Sequence, residues 1–278
     1  MIPLRLAELE RLLDCPASGH DPEIRSIVSD SRKVGDGALF AALPGERVDG
    51  HDFAPGAIEA GAAALLVSRR LDVDAPQLVV DDVLVALGRI ARLVRERIDP
   101  VVVGITGSNG KTTVKEMLAS ILRLDGRVLA TEGNYNNELG LPLTLFRLQP
   151  KHRYAVLEMG ASKTGDIAYL AGLAQPDVGL VNNIAPAHLE GFGSIEGVAR
   201  TKGEMYAGLP EIGCAVMNAD EPWLDLWRGL NRAGTVLTFG AAADADVRVE
   251  ETAAGCRLVT AAGTFDVTLP LPGRHNHM

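Results

Sequence analysis

The feature that most constrains the fold is a glycine-rich segment between an apolar stretch and a helical pattern. Residues 101–106 read Val-Val-Val-Gly-Ile-Thr, and residues 107–113 read Gly-Ser-Asn-Gly-Lys-Thr-Thr. The nearly continuous apolar run predicts a buried strand, and the pattern over Lys111–Leu124 predicts a helix. A buried strand, a tight glycine turn and a helix in this order are typical of an α/β fold with parallel strands.

The same segment predicts a phosphate-binding loop. Glycines let backbone N–H groups approach phosphate oxygens, and the helix N-terminus adds partial positive charge. The pattern assigns the terminal phosphates to Lys111 and a Mg²⁺ ligand to the Thr112 hydroxyl. The rest of the predicted nucleotide-binding loop consists of Gly107, Ser108, Asn109, Gly110 and Thr113. A glycine turn without a ligand is the alternative, and it leaves the Lys and two Thr in register unexplained.

Two details refine this prediction. The strict pattern G-x-x-x-x-G-K-[ST] requires Gly at position 105, where this chain has Ile. No N-K-x-D segment follows the loop, which disfavours a P-loop GTPase.

Apolar strands alternate with helices throughout the rest of the chain. Further strands are predicted at Val128–Thr131, Tyr154–Met159, Val178–Asn182, Ala215–Asn218 and Val236–Phe239. Further helices are predicted at Asp166–Ala174, Ile195–Leu209 and Pro222–Leu230. Short alternating strands follow at Val247–Glu250, Arg257–Thr260 and Thr264–Leu269. We therefore expect a central domain with a mostly parallel sheet and an antiparallel edge meander.

The N-terminal part forms a separate compositional unit. Its predicted elements are helices Leu6–Leu13 and Ala54–Ala60, an apolar run Leu39–Leu43 and a strand Ala64–Val67. Asp82 is expected to cap a longer helix that ends before Pro100. We predict a small α/β domain over residues 1–80, a connecting helix over 81–99 and a central domain over 100–278.

Composition excludes several classes of function. The net charge is −9 and no block of Lys or Arg stands out, which argues against nucleic acid or anionic membrane as a partner. The three cysteines form no CxxC pair, a usage that fits a reducing compartment. No run of about 18 apolar residues is present. We expect a cytoplasmic protein without membrane insertion.

Three residues outside the loop are candidate metal ligands. Glu158 and His188 follow predicted strands, and ligands bind at the carboxyl edge of parallel sheets. Lys202 precedes Gly203 in a predicted helix, and a desolvated lysine can react with CO₂ to form a carbamate that binds Mg²⁺. Taken singly, the alternatives are a helix cap or ion pair for Glu158, a structural His188 and a solvated Lys202.

Read together, these segments resemble the Mur ligase family. The resemblance rests on the loop Thr106–Thr112, on the segments 132–144 and 158–161, and on the stretch from Ala187 to Glu204. In the N-terminal part, Asp30-Ser31-Arg32 and Asp49-Gly50-His51 resemble the family's UDP-sugar-binding domain. Segment 132–144 resembles the family member that adds D-alanyl-D-alanine to UDP-N-acetylmuramoyl tripeptide.

The resemblance implies a reaction and a set of residues. ATP would phosphorylate the free carboxylate of the UDP-linked tripeptide, and the amine of D-alanyl-D-alanine would attack the acyl phosphate. Lys111, His188 and Lys202 would be catalytic, and Mg²⁺ would be bound by Thr112, Glu158, His188 and the Lys202 carbamate. Asn276 would border the nucleotide. The residues implied for substrate binding are Ser31, Arg32, Asp49, His51, Asn134 and Asn137.

Family members continue past residue 278 into a further domain, so we expect this chain to lack that domain, to bind its ligands and to ligate poorly. We expect a monomer. Two alternatives stay open: a non-catalytic ATP- and UDP-sugar-binding fragment, and a sibling ligase that adds the third amino acid.

Overall fold

The computed structural model describes residues 1–45, 48–252 and 255–268. These residues form two compact units. The first unit contains Met1–Pro100 together with Gly126–Arg153, and the second contains Val101–Asp125 and the described residues from Tyr154 onward. The sequence led us to predict that Gly126–Arg153 belongs to the central domain, whereas the structure groups this segment with the first unit.

The elements follow one another along the chain in this order. Up to Pro100 they are β1 (Leu4–Arg5), α1 (Leu6–Leu12), β2 (Glu23–Ile24), β3 (Ser26–Val28), β4 (Ala38–Ala41), α2 (Ala54–Glu59), β5 (Ala62–Val67), β6 (Gln77–Val79) and α3 (Val83–Ile98). Beyond it they are β7 (Val101–Thr106), α4 (Lys111–Leu122), β8 (Arg127–Ala130), α5 (Gly140–Leu145), β9 (His152–Glu158), α6 (Asp166–Ala174), β10 (Val178–Val181), α7 (Leu189–Phe192), α8 (Ile195–Ala207), β11 (Cys214–Asn218), α9 (Leu224–Leu230), β12 (Thr235–Gly240), β13 (Val247–Thr252), β14 (Gly255–Thr260) and β15 (Gly263–Val267).

The first unit is built on a small parallel sheet. Its strands follow the order β3-β4-β5-β6, and every neighbouring pair is parallel. Apolar side chains of β4 and β5 form a core with Ala54 and Ala57, the two fully buried residues of α2. Short 3₁₀ turns, Ser31–Lys33 and Gly50–Phe53, flank β4.

The second unit contains eight of the nine strands of the larger sheet. They follow the order β15-β14-β13-β12-β11-β10-β7-β9. The pairs from β9 to β13 are parallel, and β13, β14 and β15 form an antiparallel meander at the edge. The predicted α/β class, with its mostly parallel sheet and edge meander, is confirmed.

The strand order places a crevice at the carboxyl end of β7. The chain passes from β9 on one side of β7 to β10 on the other, which makes β7 the switch point of the sheet. Ligands of open α/β sheets bind outside the carboxyl ends of the strands at such a point. The loop after β7 is therefore the expected location of the functional site.

Most element predictions agree with the structure to within two residues. β7 and α6 have the predicted bounds, and Asp82 caps α3 by accepting the N–H groups of Leu84 and Val85. The predicted strand end at Leu269 lies outside the described residues. Within the described residues, no helix has the length and apolar character that a membrane span requires.

Candidate active site at the carboxyl edge of the second sheet

The phosphate loop connects β7 directly to α4. β7 ends at the fully buried Thr106, and the backbone then turns at Gly107, with φ of +148°, and at Gly110, with φ of +75°. These angles favour glycine because a Cβ atom would strain the backbone there. A Cβ at Gly110 would also lie 2.7 Å from the Asn182 amide nitrogen, so both conformation and space require glycine.

The start of α4 presents unpaired donors. Gly110 occupies the N-cap position and provides no side-chain cap. In the part of the chain that the structure describes, the backbone N–H groups of Lys111, Thr112 and Thr113 have no acceptor. Free N–H groups and the helix dipole together attract an anion.

Lys111 folds back into its own loop. Its Nζ donates to the carbonyl oxygen of Gly107 at 2.9 Å and to that of Ser108 at 3.4 Å. Burial lowers the pKa of Lys111, and the nearby Glu158 carboxylate opposes that effect. The ammonium group is therefore already next to the loop's backbone.

Thr112 and Glu158 form a hydrogen-bonded pair. Parallel pairing places Glu158, the last residue of β9, beside Ile105 of β7. The Thr112 hydroxyl donates to Glu158 Oε2 at 2.8 Å, and only 3% of Glu158 is exposed. A hydroxyl and a carboxylate are oxygen ligands of the kind that Mg²⁺ prefers.

Lys202 is buried on α8, with 4% of its surface exposed. No hydrogen bond or ion pair of its side chain occurs among the described residues. Burial, with a smaller contribution from the charge of Lys111, lowers the pKa of Lys202 to about 8. The structure thus brings Lys202 within electrostatic reach of the phosphate-loop lysine.

His188 is not joined to the other candidate ligands. It is exposed, adopts a left-handed conformation with φ of +50° and precedes the short helix α7. Its ring meets the edge of Phe192, with centroids 6.4 Å apart. In the described part of the chain, no group of three or more His, Cys, Asp and Glu residues has the arrangement of a metal site. The predicted contact of Asn276 lies outside the described residues.

The residues that sequence reasoning missed are two asparagines after β10. Asn182 and Asn183 hold the phosphate loop from the neighbouring strand, since Asn183 accepts the N–H groups of both Ser108 and Asn109 at 2.9 Å. The Asn182 amide donates to the Asn109 carbonyl at 2.9 Å. The signal that could have found them was their position at the carboxyl end of a strand predicted beside β7.

Ser108 is held by the same segment. Its hydroxyl donates to the Ala185 carbonyl at 3.1 Å and accepts the Ala185 N–H at 2.9 Å. Both bonds lie within the protein, so the hydroxyl anchors the loop. The contact of Ser108 with the nucleotide stays a prediction. For that contact, the Ser108 hydroxyl must either keep its two bonds to Ala185 or exchange them for a bond to the nucleotide.

In the first unit, Arg32 pairs with Asp30. The guanidinium donates twice to the carboxylate, at 2.9 Å each, and the Asp30 side chain also accepts the Arg32 N–H at 3.1 Å. The side-chain bond from Arg32 is the main reason that the pKa of Asp30 falls to about 2. Ser31 lies between them at the start of the 3₁₀ turn.

His51 is buried and its two ring nitrogens are both occupied. Nδ1 lies 2.6 Å from Asp49 Oδ1, and Nε2 accepts the Ser68 N–H at 3.0 Å. Asp49 also accepts the His51 N–H and pairs with Arg69. The structure thus gives His51 a buried position with hydrogen bonds to both ring nitrogens, and its contact with the substrate stays a prediction.

The first unit also contains a cavity of about 420 Å³. It is lined by apolar residues of β3 and α5, by Tyr135 and by the charged side chains of Asp30, Lys33, Glu132 and Arg147. Asn134 is exposed next to Tyr135, and Asn137 accepts the Gly140 N–H at 2.8 Å at the start of α5. The cavity is thus partly apolar and charged, and it is lined by sequence neighbours of Ser31, Arg32 and Asn134 and by none of the predicted substrate-binding residues themselves.

Comparisons with known proteins agree with this geometry. The Mur ligase middle domain matches residues 105–278, and the Mur ligase family catalytic domain matches residues 23–95. The UDP-N-acetylmuramoyl-tripeptide–D-alanyl-D-alanine ligase of Escherichia coli K12 is 48% identical over 99% of this chain. The chain spans 62% of the length of that relative.

Solved structures give the same result. A crystal structure of MurF from Acinetobacter baumannii has a TM-score of 0.91 and 35% identity, covering 99% of this chain and 62% of that one. The MurF ligase of Thermotoga maritima in complex with ADP has a TM-score of 0.80 and 33% identity, covering 87% of this chain and 57% of that one.

The fold and the phosphate loop define a P-loop α/β protein, and the chain belongs to the Mur ligase family. The family resemblance expected from the sequence is confirmed. Among its members, the Escherichia coli relative is named as the D-alanyl-D-alanine ligase, and the two solved structures are named MurF.

Proposed function

We propose that this chain is the nucleotide- and UDP-peptide-binding part of an ATP-dependent ligase. The ligase would join D-alanyl-D-alanine to UDP-N-acetylmuramoyl tripeptide in the cytoplasm, through an acyl phosphate, and the chain would be monomeric. The observation that carries this proposal is the phosphate loop with free N–H groups on α4, Lys111 against the loop and Thr112 bonded to Glu158. Its support comes from the names of the relatives and from the ADP complex of the Thermotoga maritima protein.

The residues of the loop would bind and orient the triphosphate. The N–H groups of Lys111, Thr112 and Thr113 would donate to phosphate oxygens, and the Lys111 ammonium would move from the loop carbonyls to a phosphate oxygen. Little covalent chemistry falls to the protein in phosphoryl transfer, so fixed donors and charges are its main contribution.

The residues present also fit Mg²⁺. Thr112 and Glu158 place a hydroxyl and a carboxylate oxygen 2.8 Å apart at the carboxyl edge of the sheet, and they would hold the ion. When bound, Mg²⁺ neutralises charge on the transferring phosphoryl group. His188 and Lys202 would contribute to a second Mg²⁺, a role that His188 could take only after a change in its loop.

Lys202 fits carbamate formation better than an exposed lysine would. Its pKa of about 8 leaves a larger fraction of neutral amine near neutral pH than an ordinary lysine has. The neutral amine is the form that attacks CO₂, with loss of one proton. The product would be an anion beside Lys111, which would relieve the repulsion between the two lysines.

The first unit would hold the UDP-linked peptide. Its cavity of about 420 Å³ combines an aromatic ring and apolar side chains with the cations Lys33 and Arg147 and the carboxylates Asp30 and Glu132, which suits a ligand with a ring and several polar groups. Ser31, Arg32, Asn134 and Asn137 would contact this substrate from the cavity's surroundings. Asp49 and His51 would act indirectly, by fixing the loop that contains them.

Calorimetric binding tests the proposal. The wild-type chain should bind ATP with Mg²⁺ and, separately, UDP-N-acetylmuramoyl tripeptide, while Lys111→Ala should bind ATP much more weakly and keep its affinity for the UDP-peptide. Lys151→Ala, which removes an exposed lysine, is the matched control and should bind both. Phosphate release that requires both substrates would extend the result from binding to ligation.

Two outcomes would count against the proposal. A folded wild-type chain without ATP binding would remove the phosphate-loop assignment. ATP binding with no affinity for the UDP-peptide would remove the substrate assignment and leave a nucleotide-binding protein.

A further inference from the structure

Asn183 contacts two successive peptide groups of the phosphate loop. Its backbone carbonyl accepts the Ser108 N–H, and its side-chain Oδ1 accepts the Asn109 N–H, both at 2.9 Å. One residue therefore fixes the orientation of the peptide planes that precede Ser108 and Asn109.

Those two planes also carry the carbonyls that hold Lys111. In a trans peptide the C=O and N–H point in opposite directions, and the described chain has no cis peptide bond. When the N–H groups of Ser108 and Asn109 point to Asn183, the carbonyls of Gly107 and Ser108 point away from it. These are the two carbonyls to which Lys111 Nζ donates.

The same geometry divides the loop's donors into two sets. The N–H groups of Ser108 and Asn109 are bound to Asn183, whereas those of Lys111–Thr113 have no acceptor among the described residues. Asn182 reinforces the division, since its amide holds the Asn109 carbonyl and thereby turns the Gly110 N–H away from β10.

The segment that carries Asn183 is itself anchored. The Asn218 amide, at the end of β11, donates to the Asn182 carbonyl at 3.0 Å, and Glu221 accepts the Ile184 N–H at 2.8 Å. The contact from Asn183 therefore comes from a fixed support and can set the position of the loop.

We propose that Asn183 is a positioning residue for Lys111, acting through the two peptide planes of the phosphate loop. For its effect on ATP this inference rests on the proposed function, whereas the contact with the loop stands apart from any ligand. The residue itself would not touch the nucleotide.

The test is a double-mutant cycle of Asn183→Ala and Lys111→Ala, read by ATP affinity. In the wild-type background, Asn183→Ala removes the hydrogen bond from the Asn109 N–H to Asn183 Oδ1. Loss of this bond should weaken ATP binding by about tenfold. If Asn183 acts through Lys111, the same substitution in the Lys111→Ala background should change the remaining affinity by less than about twofold. Equal effects in the two backgrounds would overturn the proposal.

A second measurement does not depend on ATP. Amide hydrogen exchange at Asn109 should become faster in Asn183→Ala, because the substitution removes the Oδ1 acceptor, whereas the Ser108 N–H keeps the backbone carbonyl of residue 183. Asn183→Asp, which keeps an acceptor oxygen, should restore the protection of Asn109. The matched control is Asn231→Ala, because Asn231 makes a comparable pair of bonds to Ala233 away from the loop.

The outcomes separate the two proposals. Unchanged exchange in Asn183→Ala, or an equal change of ATP affinity in Asn231→Ala, would overturn the positioning role. A wild-type chain that shows the predicted exchange pattern and fails to bind ATP would overturn the proposed function alone.

Discussion

The phosphate loop and the turn at Asp49–His51 use their polar groups in opposite ways, although each follows a strand of a parallel sheet. In the turn, Asp49, His51 and the Ser68 N–H satisfy one another, and the imidazole is buried. In the loop, N–H groups at the start of α4 have no acceptor among the described residues. A bend that closes on its own polar groups supports the fold, whereas a bend that leaves donors unpaired is prepared for a ligand.

The charges follow the same division. The carboxylate of Asp49 is matched by His51 and Arg69, and the backbone bond from His51, followed by these side chains, keeps the pKa of Asp49 well below its usual range. Near the loop, burial lowers the pKa of both Lys111 and Lys202, and the charge of Lys111 lowers the pKa of Lys202 further. The positive charge of these two lysines is not fully balanced within the described part of the protein. An anionic ligand would neutralise it.

The largest effect is expected in the closed turn. His51→Ala should lower the free energy of unfolding by about 3–5 kcal/mol, because it leaves the Ser68 N–H without its acceptor, removes the imidazole from Asp49 and opens a cavity. Chemical denaturation measures this change. His20→Ala, at an exposed position, should cost less than about 0.5 kcal/mol. Equal losses in the two variants would end the interpretation of His51 as a support.

The second prediction concerns the stability cost of the buried positive charge on Lys202. The folded pKa of about 8 lies below the unfolded value near 10.5, so the unfolded chain binds more protons between these pH values. The lysine therefore destabilises the fold below pH 8, and the loss disappears as the pH rises toward 10.5. Lys202→Met should raise the free energy of unfolding by about 2–3 kcal/mol at pH 7 in CO₂-free buffer.

The control for this prediction is the exposed Lys163→Met, which should change stability little at either pH. Denaturation curves at pH 7 and pH 10 measure the free energy of unfolding of both variants. A stabilisation by Lys202→Met that is the same at both pH values would come from packing and would contradict the electrostatic explanation.

Gly110→Ala should affect the ligand more than the fold. A left-handed alanine costs about 1–2 kcal/mol, and Gly165→Ala provides the same strain at φ of +90° with nothing near the added Cβ. Only Gly110→Ala pushes against Asn182, so it alone should weaken ATP binding, by about tenfold or more. Calorimetry on both variants measures the difference, and equal affinities would show that the contact with Asn182 does not matter.

The smallest effect is expected at a helix start that is already capped. Asp82→Ala should cost about 1 kcal/mol of stability, because the N–H groups of Leu84 and Val85 lose their acceptor, while Asp82→Asn should cost much less. Thermal unfolding of the two variants measures this effect. A loss of ATP binding in Asp82→Ala would contradict our interpretation that the capped start of α3 supports the fold, whereas the uncapped start of α4 binds the ligand.

The sequence was sufficient for the elements that local pattern determines. The run Val101–Thr106 is apolar because β7 is buried between two parallel neighbours, and the glycines that follow have the left-handed angles that the motif requires. Helix α3 was predictable because Asp82 gives it a start and apolar spacing gives it a buried face.

The parts that could not be predicted depend on contacts between distant residues. Nothing local marks Asn183 as an acceptor for Ser108 and Asn109, since that role exists only after β10 pairs with β7. The burial of His51 likewise depends on Ser68 of the strand end beside it. Short strands such as β3 and β6 have too few residues for a periodic pattern, and sheet pairing alone defines them.

Gly203 was expected to mark a close approach, and the structure identifies the neighbour. A Cβ at Gly203 would lie 2.8 Å from the Trp227 ring, whose Nε1 donates to the Ala199 carbonyl at 3.0 Å. The indole is fully buried and lies against the residue that follows Lys202. The molecule thus contains its own optical probe: once Trp223, the other tryptophan of the chain, is replaced by Phe, the emission of Trp227 reports on the surroundings of α8 without any added label.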